Sequence, residues 1–257
     1  MIINKLKNHE KTLINNVFFT NSKWPHFDLL INDIKKLSKK KEFKKILSLE
    51  RGNLYGSISL FAPYFSKKKF ISIDCSTKKI LKRGSYNKKF VQNNQLIKIP
   101  ITKYNSHEKI EIPKKSIDLI IIPNLLHHIY DYEKLFKQCK SFLKKNGSLY
   151  IFEPLIRELH QKPDDYFRFT PFGIKKLLHN LGFKKIAINY NGGPFTAAAY
   201  CLDQALQYIP KNKKKKYKKI FNINQISKLK KMDKNYKKNL IRKHTSFPVS
   251  FSVLAKL

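Results

Sequence analysis

Arginine is nearly missing from this chain: five stand against 49 lysines, alanine and glycine are sparse, and asparagine reaches 21. Arginine is the side chain best suited to bidentate phosphate recognition, so its scarcity argues against a surface built to read nucleic acid. Lysine and asparagine have AT-rich codons, whereas arginine, alanine and glycine lean GC-rich. A biased genome therefore accounts for the formal net charge of +37 without a polyanionic partner, and solvated lysine faces are the expectation. Only three cysteines occur, Cys75, Cys139 and Cys201, far apart and never as CxxC. That suggests neither a disulfide framework nor a zinc site, and a reducing cytoplasm is the expectation. Apolar runs such as Leu119–Pro123 fall far short of the roughly 20 residues of a membrane-spanning helix. The opening MIINKLKNHEKTLINN scatters charges where a secretory signal needs an unbroken apolar stretch.

What is present is an alternation of strand and helix in 257 residues that are 42% apolar, enough for one sizeable core. Strands are expected at Lys44–Leu49, Phe70–Asp74, Gln95–Ile99, Ile117–Ile122, Ser148–Phe152, Phe183–Tyr190 and Phe247–Leu254. The fourth, IDLIII, is a β-branched run with few polar residues, as a strand buried on both faces requires. Leu135, Phe136, Cys139, Phe142 and Leu143 recur at helical spacing, predicting a helix over Tyr132–Lys144 that Asn146 and Gly147 end. Thr170 and Pro171 predict an N-capped helix start, and Gly182 its stop. Residues 1–40 read as an N-terminal helical cap, and 41–257 as one domain carrying a helical insertion at about 195–244 that contains the basic run KNKKKKYKK.

The segment SIDLIIIPNLLHHIYDYEKLFKQCKSFLKKNGSLYIFEP, preceded by a strand and loop (ILSLERGNLYGS) and by a second strand ending in Asp74, resembles the class I S-adenosylmethionine-dependent methyltransferases, type 11-like. The similarity covers roughly Lys44–Phe183. It implies an α/β, Rossmann-like, seven-stranded, mostly parallel sheet with helices on both faces, an antiparallel last strand and a helical insertion before it. Downstream, HQKPDDYFRFTPFGIKKLLHNLGF is similar to a segment of methyltransferases associated with polysaccharide biosynthesis. That similarity points to a small-molecule or glycan-precursor acceptor.

Methyl transfer from a sulfonium needs few protein groups, because the cofactor carries the reactive methyl and the protein positions it and removes a proton. The resemblance places cofactor contacts at Glu50, Gly52, Asp74 and Asn124. Gly52 matches the family's central glycine, while Glu50, Leu54 and Ser48 depart from the usual glycines and acid. Asp74 lies 22 positions after Gly52, close to the spacing at which an acid meets ribose hydroxyls in nucleotide folds; an exposed strand-end aspartate is the plainer account. Asn124 is either a ligand group at the carboxyl edge of the sheet or a turn former after Pro123. His127 and His128, beside Asp131, are candidate bases or parts of a helix start. His160, Asp164, Asp165, Tyr166 and Arg168 form the densest ionisable cluster outside the lysine runs. They read either as an acceptor site or as a loop tied by an Asp–Arg ion pair. The catalytic candidates are His160, His128 and Asp165.

Three functions compete: a cytoplasmic S-adenosylmethionine-dependent methyltransferase, a binding protein that keeps the fold with an altered cofactor loop, and an RNA-directed methyltransferase using the lysine surface. Charge alone predicts only loose RNA binding without sequence preference. Filter binding between 50 and 200 mM salt checks this, since an RNA-directed enzyme would show preferred sequences, with affinity falling steeply with salt.

Overall fold

The computed structural model describes residues 26–50, 61–65, 67–74, 95–98, 112–160, 162–210, 212–213, 215–216, 228–229, 231–233 and 247–257. Helix α1 (Phe27–Ser38) comes first, followed by β1 (Lys45–Glu50), β2 (Lys69–Asp74), β3 (Gln95–Lys98) and β4 (Ile117–Pro123). Then come α2 (Tyr132–Phe142), β5 (Leu143–Pro154), α3 (Pro171–Asn180), β6 (Lys184–Asn191), α4 (Pro194–Ala205) and β7 (Ser250–Lys256). The strands form one sheet in the order β3-β2-β1-β4-β5-β7-β6. β1 to β5 run parallel, and β7 pairs antiparallel with both β5 and β6.

Alternation along the central strands shows why they sit inside. Leu47, Leu49, Ile120, Ile122, Leu149 and Ile151 face the layer that holds Leu135, Phe136 and Cys139 of α2 and Ile174 and Leu178 of α3. Their neighbours Ile46, Leu119, Ile121, Tyr150 and Phe152 face Leu30, Ile34 and Leu37 of α1. A period of two within the strands and of three to four within the helices thus builds a core on each side of the sheet. The α1 layer has one polar anchor. Asp33, buried, accepts hydrogen bonds from the Tyr150 hydroxyl at 3.2 Å and the Ser252 hydroxyl at 2.6 Å, tying α1 to β5 and β7.

Several expected boundaries shift. The helix expected to run to Lys144 stops at Phe142, and Asn146–Gly147 does not end it. Leu143 is already extended and pairs with Ile117, whereas the next pair is Leu119 with Ser148. Residues 144–147 therefore bulge out of the ladder, with Asn146 at φ 68°. Strand pairing overrides the local helix-stop signal. The last strand begins at Ser250 rather than Phe247, and β3 ends at Lys98. The Thr170 hydroxyl caps α3 by accepting from the Gly173 amide at 3.0 Å. Gly192, at φ +74°, leads into α4, and a Cβ there would lie 2.8 Å from Val249 Cγ2. The α4 N-terminus is closed by the Asp233 carboxylate, which accepts from the Phe195 and Thr196 amides. Much of the expected insertion, the first 25 residues, Trp24 and residues 51–60 lie outside the described residues.

Phe136 is fully buried in the α2 layer, while Phe172 is 71% exposed. Urea unfolding of Phe136→Ala is expected to show a loss of about 3–5 kcal/mol, against less than about 0.5 kcal/mol for Phe172→Ala.

Candidate functional site

The strand order reverses direction between β1 and β4, and ligands of open α/β sheets bind beyond the carboxyl ends of the strands at such a switch point. Asp74 and Glu50 are register partners at the ends of β2 and β1, Asn124 follows β4, and Glu153 closes β5 next to Phe152, the partner of Pro123. Across four adjacent strands the carboxyl edge thus reads Asp, Glu, Asn, Glu.

Glu50 is buried, and its carboxylate accepts a 2.5 Å hydrogen bond from the Ser48 hydroxyl two residues back on the same face. Two of the three departures from the family's loop pattern therefore contact each other. Asn124 adopts a left-handed conformation at φ 53°, which asparagine tolerates well. Its amide donates to the Phe152 carbonyl at 2.7 Å, and its side-chain oxygen accepts from Arg157 at 3.2 Å. The turn-forming role is realised, and the same turn faces the switch point. Gly52 lies outside the described residues. For Asp74 the structure gives the backbone position only.

Beyond β4 the chain makes a short 3-10 turn, Leu126–His128, before α2. Asp131 is the helix N-cap and accepts from the Lys134 amide, so it does not pair with the histidines. Buried Glu153 holds the turn. One of its oxygens accepts from the Leu125 and Leu126 amides at 3.0 and 2.7 Å, and the other lies 2.6 Å from His127 Nδ1. Burial pushes Glu153 up to about 8 despite these donors. Burial, with the Arg157 charge next, pushes His127 well below the ordinary imidazole value. Their contact is thus a hydrogen bond between groups driven toward neutrality rather than an ion pair.

The loop after β5 completes the cluster. His127 Nε2 and His160 Nε2 are 3.4 Å apart, and the His128 ring centroid is 4.0 Å from that of His127 and 4.8 Å from that of His160. His128 Nδ1 donates to the Asp164 carbonyl, and His160 Nδ1 lies 3.1 Å from the Glu158 carbonyl and 3.2 Å from Asp165 Oδ2. Burial and the Arg157 charge push His160 down to about 4. Asp165 and Arg168 form a forked ion pair at 2.6 and 2.8 Å, and the His160 amide also donates to Asp165. Burial opposes ionisation of Asp165, but these donors outweigh it and hold the carboxyl below the usual carboxylate range. The loop-tying ion pair and the histidine cluster are therefore parts of one arrangement. Next to it, exposed Tyr130 stacks among Tyr166 and Phe167, with centroids 5.4 and 6.0 Å away.

The sequence sets His127 and His128 beside Asp131 and groups His160, Asp164, Asp165, Tyr166 and Arg168 separately; the structure packs His127 and His128 against His160 instead, together with Glu153 and Arg157, which the sequence does not single out. The signal for Glu153 was a lone acid closing the apolar strand SLYIFEP, since a carboxyl carried into a buried strand end needs donors waiting for it.

Residues 49–151 match a family model described as a methyltransferase domain. No curated protein matches the sequence. Among solved structures, a SAM-dependent methyltransferase from Aquifex aeolicus is 15% identical, with 98% of this chain and 97% of that chain covered and a TM-score of 0.50. Haemonchus contortus phosphoethanolamine N-methyltransferase 2 in complex with S-adenosyl-L-methionine is 14% identical, with a TM-score of 0.54 over 98% of this chain and 56% of that one. The same enzyme with phosphomonomethylethanolamine and S-adenosylhomocysteine gives 16%, 0.55, 97% and 56%. At these identities the likeness speaks for the fold. Among the described residues no helix is long and apolar enough to cross a membrane.

Asp165 takes up its proton only below the usual carboxylate range when folded, so its contribution to stability is full above about pH 4 and fades as the pH falls further. Asp165→Asn is therefore expected to unfold at lower urea concentration than the parent at pH 7. The gap should begin to narrow near pH 4 and keep narrowing as the pH falls toward the lower folded-state value, followed by fluorescence-detected unfolding at each pH.

Proposed function

We propose that this chain, allied with the class I S-adenosylmethionine-dependent methyltransferases by its fold and by the methyltransferase-domain match over residues 49–151, transfers the methyl group of S-adenosylmethionine to a small-molecule or glycan-precursor acceptor. One observation carries the reading. The domain match runs from the end of β1 through β5, the stretch whose carboxyl edge sets Asp74, Glu50 and Asn124 side by side around the switch point.

In this reading Asp74 accepts the two ribose hydroxyls of the nucleoside, a diol being suited to a carboxylate with two acceptor oxygens. Gly52 lets the loop backbone approach the cofactor, and Glu50 and Asn124 flank its amino-acid part. The Haemonchus enzyme, of like fold, is described in complex with the same sulfonium compound, which supports the cofactor. The acceptor then enters from the β4–β5 side, over His128 and His160, where Tyr130 and Tyr166 offer ring faces to a sugar or other flat group. Asp165 is a positioning residue, holding His160 from behind and itself held by Arg168. His160 is uncharged at neutral pH and so open to the acceptor's proton, although as a weak base.

Calorimetry tests the cofactor assignment. Micromolar binding of S-adenosylmethionine, about 8 kcal/mol, is expected for the wild-type chain, and at least tenfold weaker binding for Asp74→Ala. An unchanged affinity in that variant would remove the ribose assignment. Absence of binding to the wild type would leave a scaffold that keeps the fold without the cofactor.

A further inference from the structure

Three imidazoles converge at the carboxyl ends of β4 and β5, and one nitrogen from each of His127, His128 and His160 lies within 4.8 Å of the others. Each ring is turned the same way. The Nδ1 side meets an oxygen: the Asp164 carbonyl for His128, Asp165 and the Glu158 carbonyl for His160, and for His127 the Glu153 carboxyl, which becomes a pure acceptor once it ionises. An Nδ1–H committed to such an oxygen leaves the lone pair of a neutral imidazole on Nε2. Histidines that bind metals are oriented in this manner, with the second ring nitrogen on a carboxylate or a backbone carbonyl.

The spacing supports the same conclusion. Metal–nitrogen bonds of about 2.0–2.1 Å at tetrahedral angles separate two ligand nitrogens by about 3.4 Å. His127 Nε2 and His160 Nε2 already stand 3.4 Å apart. The longest separation in the trio is up to 4.8 Å, so binding a common ion draws the rings together by rotation about side-chain torsions.

We propose that His127, His128 and His160 form a binding site for a zinc-type divalent cation, one nitrogen from each ring, with a fourth position open toward the acceptor side. Imidazole ligands suit zinc, copper, iron and nickel better than magnesium or calcium, and three protein ligands with one open position are the arrangement of a catalytic rather than a structural zinc site. The ligands come from two loops 33 residues apart, a separation with no local spacing pattern to mark it.

With the cation in place, His160 serves as a ligand and no longer as the base: an acceptor hydroxyl coordinates through its oxygen and the O–H bond breaks, its proton leaving to solvent. The oxygen pair then bonds to the sulfonium methyl carbon as the carbon–sulfur bond breaks, and that pair remains on sulfur as the thioether. This last step rests on the methyl-transfer reading above. The cation site itself does not.

The test is titration of the metal-stripped full chain with Zn(II) against a chromophoric chelator, repeated with Co(II) to read its visible absorption. One equivalent of tight binding is expected, with the intense bands of a tetrahedral nitrogen-ligated cobalt. His160→Gln, at the rim, should abolish the tight equivalent, and Glu153→Gln should weaken it about 10–100-fold through loss of the group behind His127. Far-ultraviolet circular dichroism checks that both variants fold, and His128→Gln serves if one does not. Absence of a tight equivalent in the wild type, or tight binding that survives both His160→Gln and His128→Gln, overturns the proposal. Calorimetry with S-adenosylmethionine on His160→Gln separates the two readings, because cofactor affinity should persist there whether or not the metal site exists.

Discussion

A carboxyl group at the end of a buried strand is costly unless donors meet it, and Glu153 is met by two backbone amides and an imidazole. The rest of the site follows from that requirement. The amides belong to the turn after β4, so Glu153 fixes how the chain leaves the sheet. The imidazole belongs to His127, so it also fixes which ring nitrogen faces outward. His160 and His128 then pack against a ring whose orientation is already set. The turn is also pinned from the other side, since the Tyr166 and Phe167 amides donate to the His127 carbonyl at 2.9 and 3.3 Å.

The sheet makes this placement possible. β4 and β5 lie in its middle, sealed on one face by α1 and on the other by α2 and α3. Their ends are buried and hydrogen-bonded on both sides, which suits a site built there. In the proposed reading, donor and acceptor sides divide along the edge. Asp74 and Glu50 stand over β2 and β1, the histidines and exposed tyrosines over β4 and β5, and Asn124, held by Arg157 and by the Phe152 carbonyl, lies at the boundary between them.

Much of the fold could be read from residues in order. IDLIII could only be a strand covered on both sides, and Thr170–Pro171 carried its helix start in its own chemistry. The end of α2 could not be read this way. Leu143 continues the helical pattern, yet it leaves the helix because its backbone pairs with Ile117, a contact invisible to local propensity. The site divides similarly. The polar cluster from His160 to Arg168 stood out by density, but its meaning depended on His127 and Glu153, brought up from other strands. Glu50 and Ser48 appeared as two separate departures from a loop pattern, and only their hydrogen bond shows them to be one feature.

The central claim is that backbone and carboxyl oxygens hold the Nδ1 side of the clustered imidazoles and so set their orientation. Long-range proton–nitrogen correlation spectra of the histidine rings, recorded on the metal-stripped chain near neutral pH, test it directly. A proton on Nδ1 is predicted for both His128 and His160; either ring found with its only proton on Nε2 would contradict it.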